Sequence, residues 1–115
     1  MTDCIFCKIA AREIPATIVY ETGDVLAFRD VAPKAPVHVL VIPKAHHANL
    51  AALASADPAL AGEVMAAAAA VAEAEGIGES GYRTITNTGA HAGMEVPHVH
   101  VHVLGGASLG PMLAG

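Results

Sequence analysis

Tryptophan is absent from this 115-residue chain, and only four residues are phenylalanine or tyrosine. Alanine supplies 25 residues of an apolar fraction of 54%, so the core is assembled from small side chains and would gain from packing against a second copy. Lysine and arginine are also scarce, six against eleven aspartates and glutamates, and they form no run. Binding to nucleic acid rests on neutralising phosphates, so no polynucleotide partner is expected. No apolar stretch approaches the roughly 20 residues of a membrane span. Met1 to Ile5 include an acid and lack the basic start of a secretory signal, so a cytoplasmic chain with no membrane partner is expected. Disorder of the whole chain is excluded by a charged fraction of only 15%, and the length suits one domain over residues 1–115. Cys4 and Cys7 are the only cysteines; two of them cannot build a disulfide framework, and their spacing suits a shared metal or a redox pair.

The elements that remain alternate between strand and helix signals. Ile5, Phe6 and Ile9 recur at helical spacing, which predicts a short helix over Cys4–Ala11 that ends before Ile14-Pro15. Thr17–Glu21 and Val25–Arg29 read as strands joined by the turn residues Thr22-Gly23-Asp24. Val37–Ile42 is a third strand, stopped by Pro43 because proline has no amide hydrogen for the ladder. A long helix starts at Asp57-Pro58, where an N-cap acid precedes a proline at the first helical position, and it ends at Gly76. Tyr82–Asn87 and Pro97–Leu104 are predicted as the fourth and fifth strands, separated by the loop Thr88–Glu95. Residues 105–115 form a glycine- and proline-containing tail expected to lie along a surface or across a partner.

Three of the seven histidines fall in His98-Val99-His100-Val101-His102-Val103. Successive side chains of a strand point to opposite faces, so three imidazoles share one face and the valines pack the other. A solvent face would carry Thr, Lys, Glu or Ser, so the run is read as a site. Two chemistries fit it: a metal centre ligated by neutral imidazoles, or one imidazole attacking an electrophile while its neighbours bind oxygens and supply a proton.

The run has the form His-φ-His-φ-His-φ, with φ apolar, and resembles the signature of the histidine triad superfamily. Ile5-Phe6-Cys7-Lys8-Ile9, Leu26-Ala27-Phe28-Arg29-Asp30, Ala35-Pro36-Val37-His38, Gly81-Tyr82-Arg83 with Asn87, and Leu104-Gly105-Gly106 are similar to the Hint branch in the same order. Leu109–Ala114 resembles the ending of bacterial members, whose best known activity is purine nucleoside phosphoramidase. The resemblance implies an α+β fold, a homodimer whose subunits each hold an antiparallel sheet of about five strands with one long and one short helix. It also implies hydrolysis of the phosphorus–nitrogen bond of purine nucleoside 5′-phosphoramidates, such as AMP-lysine-type adducts, to a nucleoside monophosphate and an amine, with no cofactor needed for the chemistry.

By the same resemblance His100 attacks the α-phosphorus and forms a nucleotidyl-histidine, His102 binds the phosphoryl oxygens, and His38 and His98 complete the catalytic set. Asp30 matches the acceptor of ribose hydroxyls, and Asn87 stands beside the phosphate. Ile5, Phe6, Ile9, Phe28 and Leu40 match the purine pocket, and the backbone of Gly93, Glu95 and Val96 is placed to meet the phosphoryl group. Glu95 is acidic where some members carry Ser or Thr, so its carboxylate is given no phosphate contact. Met94 and Pro97 depart from the family's usual Gln and aromatic residue. Cys4, Cys7, His46 and His98 resemble the structural zinc set of some members, with His47 a competitor for His46; the alternative is two reduced thiols packed as small hydrophobes. Three other functions stay open: a dinucleoside polyphosphate hydrolase of the same superfamily, a non-catalytic nucleotide-binding regulatory protein, and a metal-dependent hydrolase ligated by all three triad histidines.

Overall fold

The computed structural model describes residues 4–113. Its elements run α1 (Ile5–Ala10), β1 (Ile18–Glu21), β2 (Val25–Arg29), β3 (Val37–Pro43), α2 (Leu50–Ala56), α3 (Pro58–Ala74), β4 (Tyr82–Ile85), a 3-10 turn (Ala90–Ala92) and β5 (Val101–Gly105). The five strands form one antiparallel sheet in the order β1-β2-β3-β5-β4, the α+β architecture expected.

Strand alternation separates the two faces of this sheet. Val19, Val25, Ala27, Val39, Val41, Val101 and Val103 point to one face and pack against α2 and α3 through Leu53, Leu60, Val64, Ala68 and Val71. Ile18, Leu26, Phe28, Leu40 and Ile42 point to the other, where Cys4, Phe6 and Ile9 of the α1 segment cover them. Alanine is what lets α3 lie close to the sheet, since Ala67, Ala68 and Ala72 are all buried there. Caps define the helix ends by sequence-local chemistry: the Asp57 carboxylate accepts the Leu60 amide at 3.0 Å and Cys4 begins α1 as its N-cap.

Pro43 does not stop the third strand but is its last residue, paired with Val25, and the ends of α1, β1 and β5 also shift by one residue. Four larger differences from the expected elements have physical causes. The helix α2 carries no strong sequence signal because it is seven residues long and buries only Leu53; it exists because Asn49 caps it, accepting the Ala52 amide at 2.9 Å. The long helix stops at Ala74, two residues before Gly76, whose positive φ of 75° turns the chain away. The fifth strand begins at Val101 instead of Pro97, and the fourth ends at Ile85 instead of Asn87. In the intervening stretch ladder bonds are replaced: the Thr86 hydroxyl donates to the His100 carbonyl at 2.9 Å, and the Val99 amide donates to the His47 carbonyl at 2.8 Å. Gly105 belongs to β5, and the tail that follows is tied to β4, with the Arg83 guanidinium donating to the carbonyls of Gly110 at 2.9 Å and Pro111 at 3.4 Å. The last two residues of the expected tail, 114 and 115, lie outside the described residues.

Candidate active site and metal-ligand cluster

His38 on β3 and His102 on β5 occupy the α1 face because both take the parity opposite to the buried valines. The register pairs Leu40 with His102 and His38 with Leu104, so the two imidazoles are diagonal neighbours on that face. Their rings sit 5.1 Å apart, and His102 is the same distance from His100. Phe6 of α1 closes the site, its ring edge-on to His100 at 5.0 Å.

Fixed partners decide which nitrogen of each ring carries hydrogen. The His100 Nδ1 lies 2.7 Å from the carbonyl of His98, an acceptor only, so Nδ1 donates and Nε2 keeps its lone pair. The Lys34 amide donates to His38 Nδ1 at 3.0 Å, so the hydrogen of His38 is on Nε2. That Nε2–H donates to His102 Nδ1 at 2.9 Å, which leaves His102 with its hydrogen on Nε2. Two adjacent imidazoles therefore hold opposite tautomers, one nucleophilic and one hydrogen-donating. Burial lowers the pKa of His38, only partly opposed by Asp30. Burial pushes His102 down to about 4, reinforced by its His100 and His38 neighbours, so this pair is neutral at neutral pH.

The sign of the resulting pH dependence is definite. An unfolded histidine titrates near 6.5, whereas His102 in the folded chain resists protonation until about pH 4. The unfolded chain thus binds more protons between these values, so His102 costs stability as pH falls from 6.5 toward 4 and adds no further loss below. Urea midpoints measured from pH 7 to pH 4.5 are expected to fall, with a shallower fall in His102→Gln. A parallel fall in the two proteins would rule out His102 as the cause.

A cavity of about 220 Å³ opens over the imidazoles. Of the residues expected from sequence, Phe6, Asp30, His38, Leu40, Asn87, Gly93, Glu95, Val96, His100 and His102 all line it. Met94, within the segment Gly93–Val96 expected at the phosphate, lines it as well, and so does Lys34, which was not anticipated. A neighbouring pocket of about 230 Å³ is mostly apolar in its lining and takes in Ile5, Phe6, Ile9, Phe28 and Leu40, together with Asp30. Asp30 both shapes a turn and faces the site: Oδ1 accepts the Ala32 amide at 2.8 Å, and Oδ2 lies 3.5 Å from His38 Nε2.

His98 stands apart from this cavity, a departure from its expected place in the catalytic set. Its ring is fully buried, and its Nε2–H donates to the Pro43 carbonyl at 2.8 Å. Nδ1 is left with a lone pair that faces the sulfurs of Cys4 at 3.3 Å and Cys7 at 3.5 Å, while His46 Nδ1 lies 3.3 Å from the Cys7 sulfur. All four potential ligand atoms lie within 4.8 Å of one another. The His47 ring is not in this group; its carbonyl instead holds Val99. Desolvation, with the Cys4 thiol adjacent, pushes the partly buried Cys7 thiol up to about 11. Asp30, His38 and His102 also cluster within 4.8 Å, but the nitrogen of His38 that would face an ion already carries hydrogen, which makes that group a proton-sharing chain. Among the described residues His98 and His102 fall in different groups of potential ligand atoms and His100 in neither, so the three triad imidazoles do not converge on one point.

A five-stranded sheet carrying such a histidine pair over a cavity, beside an apolar pocket, defines a histidine triad domain. Residues 11–109 match the HIT domain family, and the chain belongs to it. It is 48% identical over 112 residues, 97% of this chain and 94% of the relative, to the purine nucleoside phosphoramidase of Escherichia coli (strain K12). A HIT family hydrolase from Clostridium thermocellum has a TM-score of 0.93 at 47% identity, covering 99% of both chains. A histidine triad protein from Clostridium difficile has a TM-score of 0.92 at 41% identity, covering 96% of each. The chain is accordingly a HIT-family hydrolase. Among its described residues no helix is long and apolar enough to cross a membrane.

Proposed function

We propose that this hydrolase cleaves the phosphorus–nitrogen bond of purine nucleoside 5′-phosphoramidates through a nucleotidyl intermediate on His100. The observation that carries the reading is the pair of opposite tautomers: a bare Nε2 on His100 beside an Nε2–H on His102, each fixed by partners outside the pair. The purine enters the apolar pocket of Ile5, Phe6, Ile9, Phe28 and Leu40, and the free lone pairs of Asp30 accept the ribose hydroxyls. Asn87, His102 Nε2–H and the backbone amides of Gly93, Glu95 and Val96 hold the phosphoryl oxygens. The name of the Escherichia coli relative supports this substrate class.

In the first half-reaction the His100 Nε2 lone pair attacks phosphorus, and the P–N electron pair departs with the amine nitrogen. That nitrogen takes up the proton of His102 Nε2–H while the His102 and His38 pair takes one up from solvent, so neither ring is left as an anion. The positive charge appearing on His100, one ring away at 5.1 Å, makes His102 a stronger acid at that moment. Water then attacks phosphorus, frees His100 as a neutral imidazole, releases the nucleoside monophosphate and returns the borrowed proton. The decisive assay follows hydrolysis of an adenosine 5′-phosphoramidate bearing a fluorescent amine, with a dinucleoside polyphosphate as the competing substrate, each with and without a chelator. Turnover of the first in the presence of chelator is expected; turnover of the second alone, or loss of turnover on chelation in a chain that circular dichroism shows still folded, would overturn the proposal.

Zinc bound by Cys4, Cys7, His46 and His98 completes the reading in a structural role. The donor set fits: the His98 tautomer presents Nδ1, and the Cys7 amide donates to the Cys4 sulfur at 3.4 Å. When bound, the ion supplies a cross-link between the start of α1, the loop after β3 and the segment leading to His100. Cys4→Ser is expected to lower the melting temperature and the zinc content found by elemental analysis, with part of the activity kept. Equal zinc content in the variant and the parent would sink the site. The functional unit is proposed to be a homodimer, with the tail after Gly106 reaching toward the neighbouring subunit's site.

A further inference from the structure

Of the charged residues that line the catalytic cavity, Asp30 and Lys34 belong to the connection between β2 and β3, and Glu95 to the segment after the 3-10 turn. Phe6, Asp30 and Leu40 line both the cavity and the apolar pocket, so the nucleoside occupies that side. Lys34 lies on the same connection as Asp30, and its ammonium donates to the Ala32 carbonyl at 2.9 Å. Beyond the histidines, Lys34 and Asn87, the cavity residues that do not also line the apolar pocket are Gly93, Met94, Glu95 and Val96; with backbone amides of this segment on the phosphoryl oxygens, the Met94 and Glu95 side chains form the wall left for the group that departs from phosphorus.

Glu95 is exposed at this wall and forms no hydrogen bond or ion pair among the described residues. A carboxylate beside an anionic phosphoryl group is unfavourable if it faces the phosphate, and favourable if it meets a positive charge carried in by the substrate. Met94 next to it offers a flexible thioether surface suited to an alkyl chain. We propose that Glu95 is a specificity-determining residue that selects leaving groups built as an aliphatic amine with a second, distal ammonium. This inference rests on the phosphoramidase reading above and names its leaving-group class.

The test uses three adenosine 5′-phosphoramidates of near-equal length, made from 1,4-diaminobutane, pentylamine and 4-aminobutyrate, which carry distal charges of opposite sign or none. For the parent chain kcat/KM is expected to run in that order, with about fivefold between the cationic and the neutral leaving group, the size of one partly solvated ion pair. In Glu95→Gln the order is expected to collapse, and in Glu95→Asp to return in part. Salt at about 1 M, which shortens the screening distance to about 3 Å, is expected to flatten the order in the parent itself, so a variant that fails to fold leaves the proposal open to refutation. Equal rates for all three substrates, or preference for the carboxylate, would overturn the role of Glu95 and leave the phosphoramidase reading standing. No turnover of any of the three by the parent would overturn both.

Discussion

Alanine in place of His100 is expected to lower kcat/KM for an adenosine phosphoramidate by on the order of 10⁴-fold or more, the scale seen when a covalent nucleophile is removed. The size follows from the arrangement of the rings. With His100 gone, His102 cannot replace it as nucleophile, because its Nδ1 is taken by the His38 Nε2–H at 2.9 Å and its Nε2 carries hydrogen. Nucleotide affinity is expected to survive, since the apolar pocket does not include the His100 ring. Stopped-flow turnover combined with mass spectrometry of acid-quenched enzyme checks both halves: the parent gains the mass of a nucleotidyl group and the variant does not. A variant within tenfold of the parent would mean that the covalent step is absent.

Leu26→Ala is expected to cost about 2–5 kcal/mol, among the largest single losses available in this chain. Leu26 is fully buried on the α1 face, in one cluster with Phe6, Ile9, Phe28, Leu40 and Ile42. The opposite face can close a small defect by sliding alanine-lined helix against valine. Leu26, in contrast, lies in the central part of the sheet between Glu21 and Ile42, where both neighbouring strands are pinned by ladder bonds. For a domain of this size the loss corresponds to a melting temperature lower by roughly 10–20 °C. Met65→Ala is the comparison, because Met65 is 48% exposed on α3 and its truncation is expected to stay within about 0.5 kcal/mol. Equal melting temperatures for the two variants would show that the α1 face is not part of the cooperative core.

Much of the fold was legible because its signals are local. The Val-His-Val alternation in β5 separates its two faces whatever the partner strand, and the continuous apolar run Val25-Leu26-Ala27-Phe28 in β2 marks a strand buried on both sides. Asp57-Pro58 states where α3 begins, and the alanines that follow favour helix for reasons internal to each residue. Helix α2 was not legible, since one buried leucine gives no periodicity, and its cap Asn49 reads equally as a turn residue. The start of β5 was misplaced for a related reason: the alternation of side chains continues through His98 and His100, while the backbone there bonds to Thr86 and His47 instead of to a strand. Side-chain parity and ladder hydrogen bonding are separate properties, and only the first is written in the residue pattern.

The candidate site divides along the same line. Histidine at positions 100 and 102 is a choice of chemistry that the alternating run states locally, whereas His38, Asp30 and the apolar residues of α1 are placed with them only by the family resemblance, since by themselves they read as a strand residue, a turn residue and core residues. The division of labour among the imidazoles is a tertiary property. His98 is turned away from its two triad companions because the carbonyl of Pro43, 55 residues distant, accepts its Nε2–H and the cysteines of α1 meet its other nitrogen. His100 and His102 take opposite tautomers because one ring meets a carbonyl and the other meets a ring already oriented by the Lys34 amide. An imidazole offers the same two nitrogens wherever it stands, and the groups that the folded chain brings to them determine which one reacts.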